Sequence, residues 1–351
     1  MAIERVTLVQ SPESVSSCIS RSYMSFSFYL LLLTAVTFDF LNGFHDSSNI
    51  VATPIASRAM SPRAVLLLAA AAHFVGPFLF GVAVAKTIGE GLVDPAHVTL
   101  PVVIAAMLSA VVWNIITWLL GVPSSSSHAL VGGLIGAVAI SNGLAAVNMQ
   151  GLIKIVIALF ISPVLGLITS YILMNLTRFL ARGATPRINR FFKRAQVVTA
   201  VALALSHGAN DAQKTMGIIT LGLVIEGAID SFAVPLWVIA ISAGMIALGT
   251  ATGGWRLIKT LGGRIYKIRP VDGFVSQIAG AGVILGAAMF GGPVSTTQVM
   301  SSAIMGAGAA QRVSKVRWQV GYEMLVAWVL TIPLSALLAV LFYFPMNWLL
   351  T

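Results

Sequence analysis

Long apolar runs separated by short charged stretches fill the chain from about residue 26 to residue 345. The first, about 26–41, resumes to Ser57 after Asn42-Gly43-Phe44-His45-Asp46. That stretch is too long for one straight span and too polar in its middle, so the pattern predicts a broken helix. Residues 64–86 predict a plain span leading to a loop with Glu90 and Asp94, and residues 99–120 and 124–140 predict the arms of a helical hairpin. A further span follows at 151–177. The order then recurs: a broken helix at about 195–225, interrupted at His207-Gly208-Ala209-Asn210-Asp211, a loop with Glu226 and Asp230, and a span at 233–252. Hairpin arms at 273–290 and 294–310 and a last span at 320–343 complete it. Residues 1–25 are polar and lack the continuous apolar run of a signal peptide, and Met24 directly precedes the first apolar run, where an alternative start would lie.

The recurrence is also one of motifs. Gly121-Val122-Pro123-Ser124-Ser125-Ser126-Ser127-His128 returns 170 residues later as Gly291-Gly292-Pro293-Val294-Ser295-Thr296-Thr297-Gln298, and the register holds to Gly136 and Gly306. Gly43-Phe44-His45-Asp46-Ser47-Ser48-Asn49 returns at an offset of 165 as Gly208-Ala209-Asn210-Asp211-Ala212-Gln213-Lys214. The expected organisation is one integrated membrane domain made of two related halves, 26–177 and 195–345. A basic loop, 178–194, joins them, and a polar extension, 1–25, precedes them.

With 58% hydrophobic and 9% charged residues and a mean hydropathy of +0.93, the chain is an integral membrane protein. A net charge of +10 raises nucleic acid as a partner, but its placement argues against one. Sixteen of the 21 Lys and Arg residues crowd four short segments, at 58–63, 178–194, 256–269 and 312–317. Between apolar spans this is the signature of cytoplasmic loops. With all four segments inside, the first broken helix runs inward and the second outward. The fold class expected is therefore an all-α polytopic membrane protein of two inverted-topology repeats, with broken helices and two helical hairpins, an architecture of secondary transporters. Both chain ends would lie outside. The single Cys18 permits no intrachain disulfide and points to no thiol–metal site.

Asp46 and Asp211 lie at matching positions deep in apolar sequence, where a charge costs roughly 2.5–3.5 kcal/mol on insertion scales. The duplication points to ion or proton binding; the bland alternative is a carboxylate satisfied by freed backbone amides. Asn49, Asn210 and Gln213 add amide oxygens, a chemistry that suits hard cations. Ser125, Ser126, Ser127, Ser295, Thr296 and Thr297 suit an oxyanion, because each tip leads into a helix start with free N–H groups and a positive dipole end. Simple Ser/Thr capping is the alternative for either copy alone. His45, His128 and His207 are candidate proton carriers, with none of the spacing of a metal site. His73 reads as structural, and Asp39 as a further carboxylate facing the same cavity. No phosphate-cradling P-loop is present, and no cofactor is expected.

At these residues the chain resembles the inorganic phosphate transporter (PiT) family, over nearly everything from about residue 35 to 335. The resemblance rests on Asn42 to Asn49, Pro123 to His128, His207 to Asp211 and Pro293 to Thr297 taken together. It implies a symporter that imports inorganic phosphate across the inner (plasma) membrane, works as a homodimer, and holds phosphate between the two hairpin tips and the two Asp motifs. Two departures bear on coupling. The first motif has Phe44-His45 where the family commonly has Ala-Asn, a form familiar in bacterial low-affinity members. Lys214 stands three residues after the second Asp, where sodium-coupled relatives often carry Asn. Both fit the proton-driven branch, which is also thought to carry divalent metal together with phosphate. In this reading Asp46 and His45 load protons while the Lys214 ammonium takes the cation's place; snorkelling of Lys214 to the outer interface is the alternative. The rivals are a sodium-coupled phosphate symporter, a sulfate permease of the same fold, and a membrane hydrolase pairing Ser126 or Ser127 with His207. Against the hydrolase, neither serine lies in a nucleophile-elbow sequence, and a nucleophile is usually single where these hydroxyls are duplicated.

Overall fold

The computed structural model describes residues 24–93 and 98–351. The proposed extension, Cys18, Asp94 and His97 therefore lie outside the described residues, apart from the last two positions of the extension. Among the described residues there are twelve α-helices. In chain order they are α1 (Phe26–Ala56), α2 (Pro62–Leu79), α3 (Ala83–Gly89), α4 (Leu100–Leu120), α5 (Ser126–Asn142), α6 (Met149–Leu180), α7 (Ile188–Ile225), α8 (Leu236–Thr252), α9 (Trp255–Lys259), α10 (Pro270–Met289), α11 (Thr296–Ala309) and α12 (Trp318–Leu350). A wide π-turn, Thr260–Arg264, follows α9.

Six of these (α1, α2, α4, α6, α10 and α12) are long and apolar enough to cross a membrane. A seventh is reached if α8 and the helix after it are counted as one span bent by 60°. Helices α6 and α12 bury only 28% and 22% of their most apolar window inside the protein, against 61% for α4. Rows of Ile, Leu and Phe on α6 and α12 face outward, the surface a bilayer would cover.

The hairpins are where the sequence pattern predicts them: α4 and α5 flank Pro123, and α10 and α11 flank Pro293. The two breaks expected at residues 42–46 and 207–211 are absent. Helix α1 runs unbroken for 31 residues and α7 for 38. At 1.5 Å per residue these lengths, about 46 and 57 Å, exceed a hydrocarbon core of about 30 Å without needing a break. The hydroxyls and carboxylates in these stretches find partners without unwinding the helix. The Ser47 and Ser48 hydroxyls donate back to Phe44 O and His45 O at 2.8 and 3.1 Å, and the carboxylates are met by other helices. Two other boundaries move. The span expected at 64–86 is divided by Gly81 (φ 75°) into α2 and α3, and α7 begins within the basic segment, so Arg190, Lys193 and Arg194 are helical.

Packing partners are exchanged between the halves. Helix α1 lies against α8, and α7 against α2; α5 lies against α12, and α11 against α6. Matching glycines make these contacts. A Cβ on Gly43 of α1 would stand 2.1 Å from Ile246 O of α8, and one on Gly208 of α7 would stand 2.6 Å from His73 O of α2. At the other pair of crossings, Gly136 would meet Ala336 O at 2.3 Å and Gly306 would meet Leu167 O at 2.2 Å. Only glycine permits such backbone approach between spanning helices. The outcome is that the middles of α1 and α7 are drawn together with both hairpin tips. At the opposite end, the backbone N–H and hydroxyl of Ser25, which caps α1, donate to the Glu226 carboxylate at the end of α7, at 3.1 and 2.7 Å.

Candidate functional site

The tips are built alike. Gly121 (φ 68°) and Gly291 (φ 70°) adopt the left-handed backbone that turns the chain out of α4 and α10. After each proline, Ser125 and Ser295 cap the next helix, their hydroxyls accepting from His128 N–H at 3.2 Å and Gln298 N–H at 3.3 Å. The Ser125 hydroxyl also lies 2.7 Å from His128 Nδ1. These two of the six expected phosphate hydroxyls are thus engaged in capping, and the following pairs, Ser126-Ser127 and Thr296-Thr297, open α5 and α11 toward the protein centre.

There the two tips touch, Ser127 Oγ donating to Val294 O at 3.0 Å. Thr297 donates to Asp46 Oδ1 at 2.8 Å. The Thr296 hydroxyl lies 3.2 Å from both Asp46 Oδ2 and Asp211 Oδ2, so one hydroxyl stands between the two carboxylates. Lys214 is 1% exposed, which excludes snorkelling. Its ammonium donates to Asp211 Oδ1 at 2.5 Å, to Ser127 Oγ at 2.6 Å and to Val294 O at 2.9 Å, joining the second half's Asp to both tips. Its counterpart 165 positions earlier, Asn49, donates to Thr297 Oγ1 at 3.1 Å. Since Ser127 and Thr297 are themselves counterparts, each motif's residue three places after Asp reaches the hydroxyl of the opposite half's tip.

The remaining expected residues divide. Ser126 donates to Asn42 Oδ1 at 2.6 Å, one turn from Asp46. His45 Nδ1 lies 3.2 Å from Asp46 Oδ1 and its Nε2 3.4 Å from Thr117 Oγ1, so it flanks the site on the α4 side. Asn210 donates to Gly292 O at 3.3 Å and steadies the second tip. Gln213 does not reach the carboxylates: its Oε1 accepts from Val84 N–H at 2.7 Å and caps α3. Its amide oxygen, expected as a coupling-ion ligand, is held there because α3 has no capping side chain of its own.

His207 belongs to the site more closely than its sequence reading as a proton carrier implied. Its Nδ1 lies 2.8 Å from Asp211 Oδ2, and its Nε2 lies 3.4 Å from the Asn49 amide. The i,i+4 spacing of His207 and Asp211 on one helix is the signal for it. The His73 ring stacks on His207 with centroids 5.1 Å apart, and His73 Nδ1 is 2.7 Å from Thr250 Oγ1. Asp46, His207 and Asp211 bring ligand atoms within 4.8 Å of one another, a grouping that spacing along the chain does not reveal and that is chemically able to take a cation.

Every group at the centre is buried, none of Asp46, Asp211, Lys214, Ser127, Thr296 or Thr297 being more than 3% exposed. The assembly offers an oxyanion two helix N-termini, three hydroxyls and one ammonium. It also confronts that oxyanion with two carboxylates. Two like charges about 4 Å apart repel by about 4 kcal/mol at an effective dielectric of 20. A charge-assisted hydrogen bond returns about 1.5–3 kcal/mol. With both carboxylates ionised, the ammonium offsets one of them and leaves one net negative charge facing the anion.

A family model described as "Phosphate transporter family" matches residues 42–339. The chain is 44% identical over 322 residues to a protein of Bacillus subtilis described as "Probable low-affinity inorganic phosphate transporter", covering 91% of this chain and 96% of that one. A protein of Rhizobium meliloti with the same description is 44% identical over 316 residues, covering 90% and 95%. Among solved structures, "The sodium-dependent phosphate transporter" matches with a TM-score of 0.86 at 23% identity, over 93% of this chain and 100% of that one. At that identity the likeness speaks for the fold alone.

Proposed function

The chain belongs to the phosphate transporter family, whose members are multi-pass membrane transporters and not enzymes, and from that membership we propose that it imports inorganic phosphate across the inner membrane by proton symport. Phosphate is held between the tips by Ser127, Thr296 and Thr297, by the N-termini of α5 and α11, and by Lys214. Asp46 and Asp211 face it, with His45 and His207 beside them. One observation carries the coupling part of this reading. Lys214 stands where the first half has Asn49, and its ammonium is bonded to Asp211 and to both tips. A tethered cation thus fills the second motif, leaving Asp46 and His45 to take up the protons that offset the charge of phosphate. The exchange of packing partners between halves supports an inverted relation of the repeats, with the tips entering from opposite sides and access alternating around the centre.

The test is uptake of labelled phosphate into proteoliposomes, with excess sulfate as competitor and Ser127→Ala beside wild type. We expect uptake that sulfate barely inhibits and that Ser127→Ala lowers. Equal inhibition by sulfate and phosphate would reassign the substrate. Wild-type uptake by the variant would remove Ser127 from the site.

A second reading, entry of phosphate together with a divalent metal, is supported by the approach of Asp46, His207 and Asp211 to within 4.8 Å. The metal is then cargo, with one carboxylate from each half and an imidazole as its ligands. Phosphate uptake that a divalent-metal chelator abolishes and magnesium or zinc restores is the result this reading requires.

A further inference from the structure

Asp39 is a buried carboxylate to which phosphate binding gives no task. It lies seven residues before Asp46 on α1, on the same helical face and about 10 Å along the axis. It is fully buried. One oxygen, Oδ1, accepts from Thr215 Oγ1 of α7 at 2.5 Å. The Ser242 hydroxyl of α8 lies beside the carboxyl, and neither it nor Oδ2 makes an aligned hydrogen bond. Thr215 follows Lys214 and lies one turn beyond Asp211. Helices α1, α7 and α8 thus form a second polar tier next to the one that holds the tips, toward the Ser25–Glu226 end of the molecule.

The surroundings decide what such a carboxyl is for. Asp211 is bonded to an ammonium, and Asp46 accepts from two tip hydroxyls. Asp39 has only neutral hydroxyls beside it, those of Thr215 and Ser242, and no bonded cation. The charged groups that face it are Asp211 and Lys214 of α7. Helices α4 and α8, which also pack on α1, carry no titratable residue; on α2, His73 is turned to His207 and Arg63 is exposed. An ionised carboxylate with only neutral hydroxyls beside it among apolar helices is costly. A proton on Oδ2 removes the charge and makes that oxygen a donor to the unpartnered Ser242 oxygen. A bond serving only to tie α1 to α7 would need no carboxyl, since an amide accepts from Thr215 and donates to Ser242 equally well.

We propose that the Asp39 carboxyl is a station for the coupling cation, separate from the phosphate site and one tier away from it. This rests on the reading of the protein as a cation-coupled phosphate importer. The decisive variant is Asp39→Asn, which keeps shape and hydrogen bonding and loses the charge. Two measurements on the reconstituted full chain separate coupling from binding. One is accumulation of labelled phosphate under a proton gradient and, separately, under a sodium gradient. The other is exchange of labelled for unlabelled phosphate at equal concentrations without a gradient. Asp39→Asn is expected to lower accumulation by about tenfold or more while exchange stays within about threefold of wild type. Accumulation equal to wild type overturns the proposal, as does a parallel loss of exchange and accumulation. A wild type driven by sodium alone sinks the proton reading, yet the same comparison under the sodium gradient still decides for or against Asp39. Should Asp39→Asn not fold, Ser242→Ala takes its place. It is expected to shift the pH at which accumulation is half-maximal without changing exchange, and an unshifted profile counts against the proposal.

Discussion

Removing the Lys214 ammonium is the perturbation whose size the structure constrains best. In Lys214→Met the Asp211 carboxylate, 1% exposed, loses its cation, and Ser127 Oγ and Val294 O lose a donor. Breaking a buried ion pair by removing one partner costs about 3–5 kcal/mol. Deleting the charge on the other side as well, in Lys214→Met/Asp211→Asn, removes the stranded carboxylate and is expected to recover about 2 kcal/mol of that. The thermal stabilities in detergent should therefore rank wild type above the double variant, and the double variant above Lys214→Met. Phosphate loses one charged hydrogen-bond donor, worth about 1.5–3 kcal/mol, so its apparent affinity in Lys214→Met should fall by about 10- to 150-fold. In Lys214→Asn, which reinstates the residue type of the first motif, uptake should be impaired or become responsive to sodium. Fluorescence-detected size exclusion after heating gives the ranking, and concentration-dependent uptake gives the affinity. Equal stability and affinity in wild type and Lys214→Met would refute the assignment of Lys214 as the internal cation.

Thr296→Val removes the hydroxyl that stands between Asp46 and Asp211 at 3.2 Å from each, and apparent phosphate affinity should fall by about tenfold, read from uptake kinetics; Ser295→Ala, which removes a helix cap, should instead act through stability, by about 1 kcal/mol in thermal unfolding. Gly208→Val forces side-chain atoms into the His73 carbonyl, which even a Cβ would approach to 2.6 Å, and folded yield on size exclusion should drop, whereas the open position Gly244 should tolerate Ala. In a Cys18→Ser background, cysteines at Glu90 and Glu226 should label from outside with an impermeant thiol reagent and those at Arg187 and Lys267 should not; external labelling at 187 would overturn the orientation and the opposed tips with it.

The hairpins were legible because proline and a hydroxyl cluster recur at a fixed offset, a pattern with a direct structural meaning. The residues of the central site were legible for the same reason: duplication singles out Asp46 with Asp211 and Ser127 with Thr297. What the pattern could not carry was the state of the backbone. Polar residues at 42–46 and 207–211 suggest a break in apolar sequence, but α1 and α7 continue through them because opposing side chains meet every carboxylate. Gln213 departs from its expected place for the same reason, since nothing local announces that Val84 N–H at the start of α3 lies 2.7 Å from its amide oxygen. Lys214 shows the converse: its position next to the motif is plain, but its burial depends on the two tips, which lie 87 residues away at Ser127 in the opposite half and 80 away at Val294 in its own.

The central claim is that protons, without sodium, drive phosphate inward. It is tested most directly by the steady-state ratio of internal to external labelled phosphate in wild-type proteoliposomes given either an inward proton gradient in sodium-free medium or an inward sodium gradient at equal pH. Accumulation above the equilibrium ratio under the proton gradient, with none under sodium alone, is the result predicted. Accumulation that requires sodium and is indifferent to the proton gradient would contradict it.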